Sequence, residues 1–250
     1  MSKSKLLGTY VAPTSKVNIL EKIKKNTFSR AEYIHIVSLN PEICMLAQHD
    51  EEFRKVIETA QIQIVDGVGV RAAGYVLGIS MPERVSGVDL MATLMDLAGR
   101  KRLTVVLIGG SKKIAEKLAD CYQRQFPDGH FFGLEGFSDV RNPTKKETEA
   151  VFSIVRDRRP HFVFAAFGSP EQEKWLWRNR ALLEGCVCMG VGGGFDFLSG
   201  AVPRAPAALR TVGLEWLYRL LRQPWRWRRQ LRLFQFIGAV MRQYIVQPHS

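Results

Sequence analysis

Apolar positions in this chain come in short runs rich in β-branched and aromatic residues, separated by longer amphipathic stretches. Tyr33 to Val37, Ile62 to Val65, Thr104 to Ile108, His161 to Phe167 and Val187 to Val191 predict strands. Each runs into a polar or glycine-rich turn: Ser38-Leu39-Asn40-Pro41, Asp66-Gly67-Val68-Gly69, Gly109-Gly110-Ser111, Gly168-Ser169-Pro170 and Gly192-Gly193-Gly194. A further strand is predicted near Gly129 to Leu134, ahead of Glu135-Gly136-Phe137. Thr144 with Glu147 makes a capping box for a helix to about Asp157. Five such strand-to-helix switches predict an α/β fold with a parallel sheet and helices on both faces.

From residue 201 the pattern changes. Residues 201–250 hold nine arginines, no lysine and one acidic residue, Glu215, so nine less one gives +8 of the whole chain's +12. Trp216, Trp225, Trp227, Phe234 and Phe236 are mixed among them. Arg219, Arg222, Arg226 and Arg229 recur at helical spacing, with Leu220, Leu221, Trp225, Leu231, Phe234 and Ile237 able to sit beside them. Pro224 ends one helix near Arg222 and can open the next, which predicts a hinged pair of amphipathic helices. Arginines beside tryptophans on one helix suit a bilayer interface better than a phosphate-tracking nucleic-acid site. An anionic membrane surface contributes about 1 kcal/mol per basic residue near it. The plainer alternative is a C-terminal helix docked on the core with a solvated basic face. The expected organisation is a Rossmann-like body over 1–200 and a basic amphipathic helical appendage over 201–250 that associates with membrane.

No stretch approaches the roughly 18 to 20 uncharged apolar residues of a spanning helix, and Met1 to Leu7 is too short and polar for a signal peptide. The expected location is therefore cytoplasmic, peripheral at the inner face of the cell membrane. Cys44, Cys121, Cys186 and Cys188 sit in apolar runs without metal-ligand spacing and are expected to be reduced core thiols.

In open parallel sheets the ligand lies beyond the carboxyl ends of the strands, where the turns above gather. Helix N-termini opening from Gly109-Gly110-Ser111 and Gly168-Ser169-Pro170 suit phosphate oxygens, which points to a nucleotide or sugar phosphate. Asp66, at a strand end before two glycines, is placed as a general base, or as the cap of a helix starting near Gly69. Ser38 and Asn40 offer neutral hydrogen bonds to sugar hydroxyls, although Asn40 serves equally well as a cap for the helix after Pro41. Gln172, in a first helical turn, can face the crevice or lie on the surface. Arg84 precedes a helix from about Val88, where a cation opposes the helix dipole and so suggests an anionic partner. Asp196 and Arg204 lie in Gly- and Pro-rich loops where backbone can approach a ligand, or where there is only a turn. No Asp-x-Asp pair occurs, and the five histidines are scattered, so neither a metal nor another cofactor is expected.

These residues together resemble the WecG/TagA/CpsF family of bacterial glycosyltransferases, from about Val17 to Arg229. The resemblance rests on Ser38-Leu39-Asn40 with Ala47, Asp66-Gly67-Val68-Gly69, Arg84-Val85-Ser86-Gly87, Phe167 through Glu173, Gly190 through Phe197, Arg204-Ala205-Pro206, and Gly213 through Leu220. It implies metal-independent, inverting transfer of a sugar, typically N-acetylmannosamine, from a UDP donor to a polyprenyl-diphosphate-linked sugar acceptor in cell-surface polysaccharide synthesis. Carried over, Asp66 resembles the base that deprotonates the acceptor, with Ser38, Asn40, Arg84 and Gln172 lining the sugar and acceptor pocket. Arg219, Arg226 and Arg229 fall where the family brings arginines to the diphosphate. By similarity the uridine end lies by Gly109, Gly110 and Glu135-Gly136-Phe137. Ser38 stands where threonine is usual, Ser199 where alanine is common, and Gln223 where glutamate is frequent. The expected partners are the UDP-sugar donor, the lipid-linked acceptor and an anionic membrane surface, with no nucleic acid; a homo-oligomer is compatible with the sequence. The rival readings are a nucleic-acid-binding or methyl-transferring Rossmann protein, which calls for a Gly-x-Gly-x-Gly loop after the first strand, and a non-catalytic membrane scaffold.

Overall fold

Strands that are apolar on both faces belong inside a sheet covered twice, and the computed structural model places six of them there. It describes residues 4–111, 113–206, 208–209, 215–222 and 227–246, with backbone alone at 219 and 227–230. A short antiparallel hairpin, β1 (Ser4–Leu6) and β2 (Thr9–Val11), precedes β3 (Ile34–Leu39), β4 (Ile62–Val65), β5 (Thr104–Gly109), β6 (His130–Leu134), β7 (Phe162–Ala166) and β8 (Val187–Gly190). The six pair in parallel in the order β4-β3-β8-β7-β5-β6. The strand predictions hold to within a residue or two at their ends.

The period of two along each strand divides the core between the sheet's faces. Ile36, Ile64, Val105, Leu107, Phe164 and Met189 meet α1 (Lys16–Ser29), α5 (Gly87–Arg100) and α6 (Ile114–Gln125). Val37, Leu39 and Val65 face α2 (Pro41–His49), α3 (Glu51–Thr59) and α4 (Val68–Val76). Val106, Ile108, Val163 and Cys188 face α7 (Lys145–Arg158) and α8 (Glu171–Arg178). The expected capping box is present: Thr144 Oγ1 accepts from Glu147 N at 3.2 Å, and Glu147 Oε2 accepts from Thr144 N at 2.8 Å. Cys44, Cys186 and Cys188 are buried as expected. Cys121 is exposed, because it falls on the outer side of the amphipathic α6.

After α9 (Gly194–Leu198) come α10 (Glu215–Arg222) and α11 (Trp227–Val246); the break expected at Pro224 lies outside the described residues. The second of these helices is more than a basic arm. Phe236 and Val240 are buried in the same cluster as Ile43 and Val70. Arg232 Nη1 pairs with Glu42 Oε1 at 2.6 Å, and Gln243 donates to Lys5 O of β1 and accepts from Leu7 N in the turn after it. Its outward face carries exposed Leu231, Phe234, Ile237, Met241 and Ile245 at helical spacing, an apolar stripe where a plain docked helix would show solvated charge. No helix among the described residues is long and apolar enough to cross a membrane.

Candidate active site

The carboxyl ends of β3 and β4 stand side by side, and three backbone bonds decide what gathers there. Asp66 N donates to Leu39 O at 2.8 Å, continuing the ladder one residue past β4. Gly67 then turns with φ 105°, open to glycine, and α4 starts at Val68. Val85 N donates to Val65 O at 2.9 Å, which brings the loop holding Arg84 onto the same strand end. Asp66 is half-buried, and its Oδ2 accepts from Gly87 N at 3.2 Å, at the first residue of α5. The N-cap position of α4 belongs to Gly67, so the carboxylate reaches across to the N-terminus of a different helix, whose positive end favours an anion. A Cβ placed on Gly87 would lie 3.0 Å from Ser38 Oγ and 3.3 Å from Asp66 Oδ2, so the missing side chain lets both groups crowd one helix end. Ser38 is half-buried and its hydroxyl makes no hydrogen bond among the described residues. Asn40 is the cap of α2, Oδ1 accepting from Ile43 N at 3.0 Å, which leaves its Nδ2 for other use.

Gln172 departs from its expected place. It is 3 % exposed, and its Oε1 accepts from Gly168 N at 3.1 Å and from Gly192 N at 3.0 Å. Its Nε2 donates to Ser169 Oγ at 3.2 Å and Glu173 Oε1 at 2.7 Å. The amide therefore clamps the turns after β7 and β8 together and offers no free donor to the crevice. Gly190 permits this, since a Cβ there would fall 2.6 Å from Gln172 Nε2. Glu173 is buried beside it; burial raises its carboxyl above the usual range, against hydrogen bonds from Gln172 and Ser169 that lower it.

At the other end of the sheet, Gly110 N donates to Ala166 O at 3.0 Å, and both Gly109 and Gly110 take positive φ. Gly136 packs so closely that a Cβ would lie 3.0 Å from Gly109 Cα, and Glu135 beside it is exposed. Phe137 turns away: its ring sits 5.3 Å from Phe167 and 5.5 Å from Trp175, in the apolar layer under α8. From Asp66 after β4 to Gly109 after β5 is four strand spacings, about 19 Å, the span of an elongated ligand.

Asp196 is in the first turn of α9, and its carbonyl accepts from Val202 N at 3.0 Å, folding the following loop back. Arg204, expected against substrate, is instead paired to Asp89 at 2.5 Å and lies 3.7 Å from Glu215. Arg219 and Arg229 are placed by backbone on α10 and α11, and Arg226 lies outside the described residues. Sequence reasoning missed Gly87 and Asp89. Ser86-Gly87-Val88-Asp89 is a helix-start signature that would have found them, and Ser86 Oγ accepts from Asp89 N at 3.5 Å.

The model of the glycosyl transferase WecG/TagA/CpsF family matches residues 4–250. An N-acetylglucosaminyldiphosphoundecaprenol N-acetyl-beta-D-mannosaminyltransferase of Bacillus spizizenii is 34 % identical over 209 residues, 83 % of this chain and 78 % of that one. Proteins of the same name from Bacillus subtilis and Staphylococcus aureus are 31 % identical over 208 residues and 29 % over 233. These alignments cover 83 % and 93 % of this chain, and 79 % and 88 % of the relatives.

Proposed function

We propose, given that this chain belongs to the WecG/TagA/CpsF family of glycosyl transferases, that it moves N-acetylmannosamine from a UDP donor to a polyprenyl-diphosphate-linked N-acetylglucosamine. The observation that carries this reading is Asp66, half-buried at the carboxyl edge of the sheet and bonded to the N-terminus of α5, where Ser38 Oγ also lies against Gly87. In a single in-line displacement the acceptor hydroxyl gives its proton to the Asp66 carboxylate as its oxygen attacks the anomeric carbon. The bond from that carbon to the UDP oxygen breaks, with inversion. Such a step needs a base, an oriented acceptor and compensation for the leaving diphosphate, and no protein nucleophile. In this reading Ser38 near the end of β3, Asn40 Nδ2 just after it and Arg84 in the loop before α5 orient the sugars. The glycine turns by Gly109, Gly110 and Gly136 fit the nucleotide end. Arg219, Arg226 and Arg229 supply charge to the diphosphate in this reading, a task that divalent metals perform elsewhere. No three metal-ligating side chains gather among the described residues. The exposed stripe of α11 and the basic tail suit a peripheral protein on an anionic membrane, where its lipid-borne acceptor resides.

The test is UDP release from purified protein supplied with several UDP-sugars and a short-chain lipid-diphosphate acceptor. UDP-N-acetylmannosamine is expected to be turned over, to persist in excess EDTA, and to slow by about 100-fold or more in Asp66→Asn. An undiminished Asp66→Asn variant contradicts the assignment of the base and favours a non-catalytic scaffold.

A further inference from the structure

Arg204 sits between Pro203 and Pro206, whose rings restrict the loop, and the neighbouring Ala205 is 3 % exposed, so the base of this side chain is held firmly by the body. Its guanidinium reaches two carboxylates from different parts of the chain. Nη1 donates to Asp89 Oδ1 at 2.5 Å, in the first turn of α5. Nε lies 3.7 Å from Glu215 Oε1, at the start of α10, an ion pair just too long to be a hydrogen bond. The Arg204 and Glu215 side chains are only 20 % and 18 % exposed. Among the described residues, Nε and Nη2 of Arg204 are buried without a hydrogen-bond partner. Burial acts against the guanidinium charge, and the two carboxylates outweigh it.

A half-buried cation with two idle donors is a poor device for stability. It is a good device for register. Glu215 is the one acidic residue among the nine arginines of residues 201–250, so it is the one place in that segment that attracts Arg204 where the arginines repel it. Asp89 lies one helical turn or less from Gly87, whose N–H holds Asp66. Glu215 and Arg219 are four residues apart on α10 and share a face. We infer that Arg204 is a positioning residue that fastens α10 to the N-terminal turn of α5, and thereby sets Arg219 in register with Asp66. The inference rests on the reading of Asp66 and Arg219 given above.

The experiment uses the full chain, with hydrogen exchange over 215–222 and steady-state kinetics in parallel. Arg204→Ala and Glu215→Gln are each expected to raise exchange in α10 by about tenfold, to leave exchange in β3 and β8 unchanged, and to lower kcat by about tenfold with little change in KM for UDP-sugar. The double variant is expected to be no worse than either single one, because both remove the same contact, and Arg204→Lys should recover part of kcat. Unchanged exchange in α10, additive losses, or looser α10 with intact turnover each overturn the inference. Failure of the functional reading is separate: it shows as full activity in Asp66→Asn, with the α10 exchange response to Arg204→Ala still present.

Discussion

At the scale of single residues, burial decides chemistry that spacing leaves open. Gln172 and Ser38 look alike in sequence, each a neutral polar group after a strand. The first is closed into four hydrogen bonds, whereas the second keeps its hydroxyl at the site. His35 is the clearest case. It stands on β3 beside Cys188, 1 % exposed, with both ring nitrogens unpartnered, and burial pulls its pKa down to about 3. Because that value lies below the ordinary 6.5, the unfolded chain takes up the proton first. The stability of the neutral, buried ring is complete above pH 6.5 and is lost as pH falls toward 3. Denaturant midpoints from pH 7 to 4 are therefore expected to fall more steeply for the wild type than for His35→Leu; parallel curves refute this. Nothing in the scattering of five histidines along the chain foretells it, since burial comes from β8 and the helices beyond.

At the scale of elements, local motifs were legible and helix-to-helix exchange was not. The Thr144 and Glu147 box is visible because both partners lie within one turn. The first turn of α5 is different: it meets Asp66 from just past β4, Ser38 from β3 and Arg204 from 115 residues away, none of which its own sequence names. Gly87 is the hinge of that arrangement. In Gly87→Ala the new methyl meets Ser38 Oγ at 3.0 Å and Asp66 Oδ2 at 3.3 Å, so one or both must move. Alanine favours the helix by up to about 1 kcal/mol, so stability should hold while kcat falls by about 10- to 100-fold. A variant with wild-type kcat shows that Asp66 tolerates displacement and sinks this account of its placement.

At the scale of the whole molecule, α11 belongs to the core of the body as well as to the basic segment 201–250. A basic tail that shared nothing with the core would leave, when cut near residue 200, a more soluble, nearly inactive body. Phe236 and Val240, packed with Ile43 and Val70, imply instead that the cut bares a face of the core and lowers solubility. Phe236→Ala is expected to cost about 3 kcal/mol in denaturant unfolding, and truncation after Pro206 to lower the melting temperature. An unchanged midpoint in both would show that α11 rests on the body without supporting it. By itself the sequence determined the six parallel strands, the gathering of Asp66, Ser38, Gly109 and Gly136 along their carboxyl edge, and the basic tail, because hydrophobic period and turn chemistry act over a few residues. The tertiary structure alone decided that Gln172 is a clamp, that Phe137 belongs to the core, that Arg204 joins α5 to α10, and that α11 shares the body's core while leaving an apolar stripe outside. Each of those outcomes depends on which distant groups arrive to compete for the same buried donor, ring or charge, and that competition has no address in local sequence.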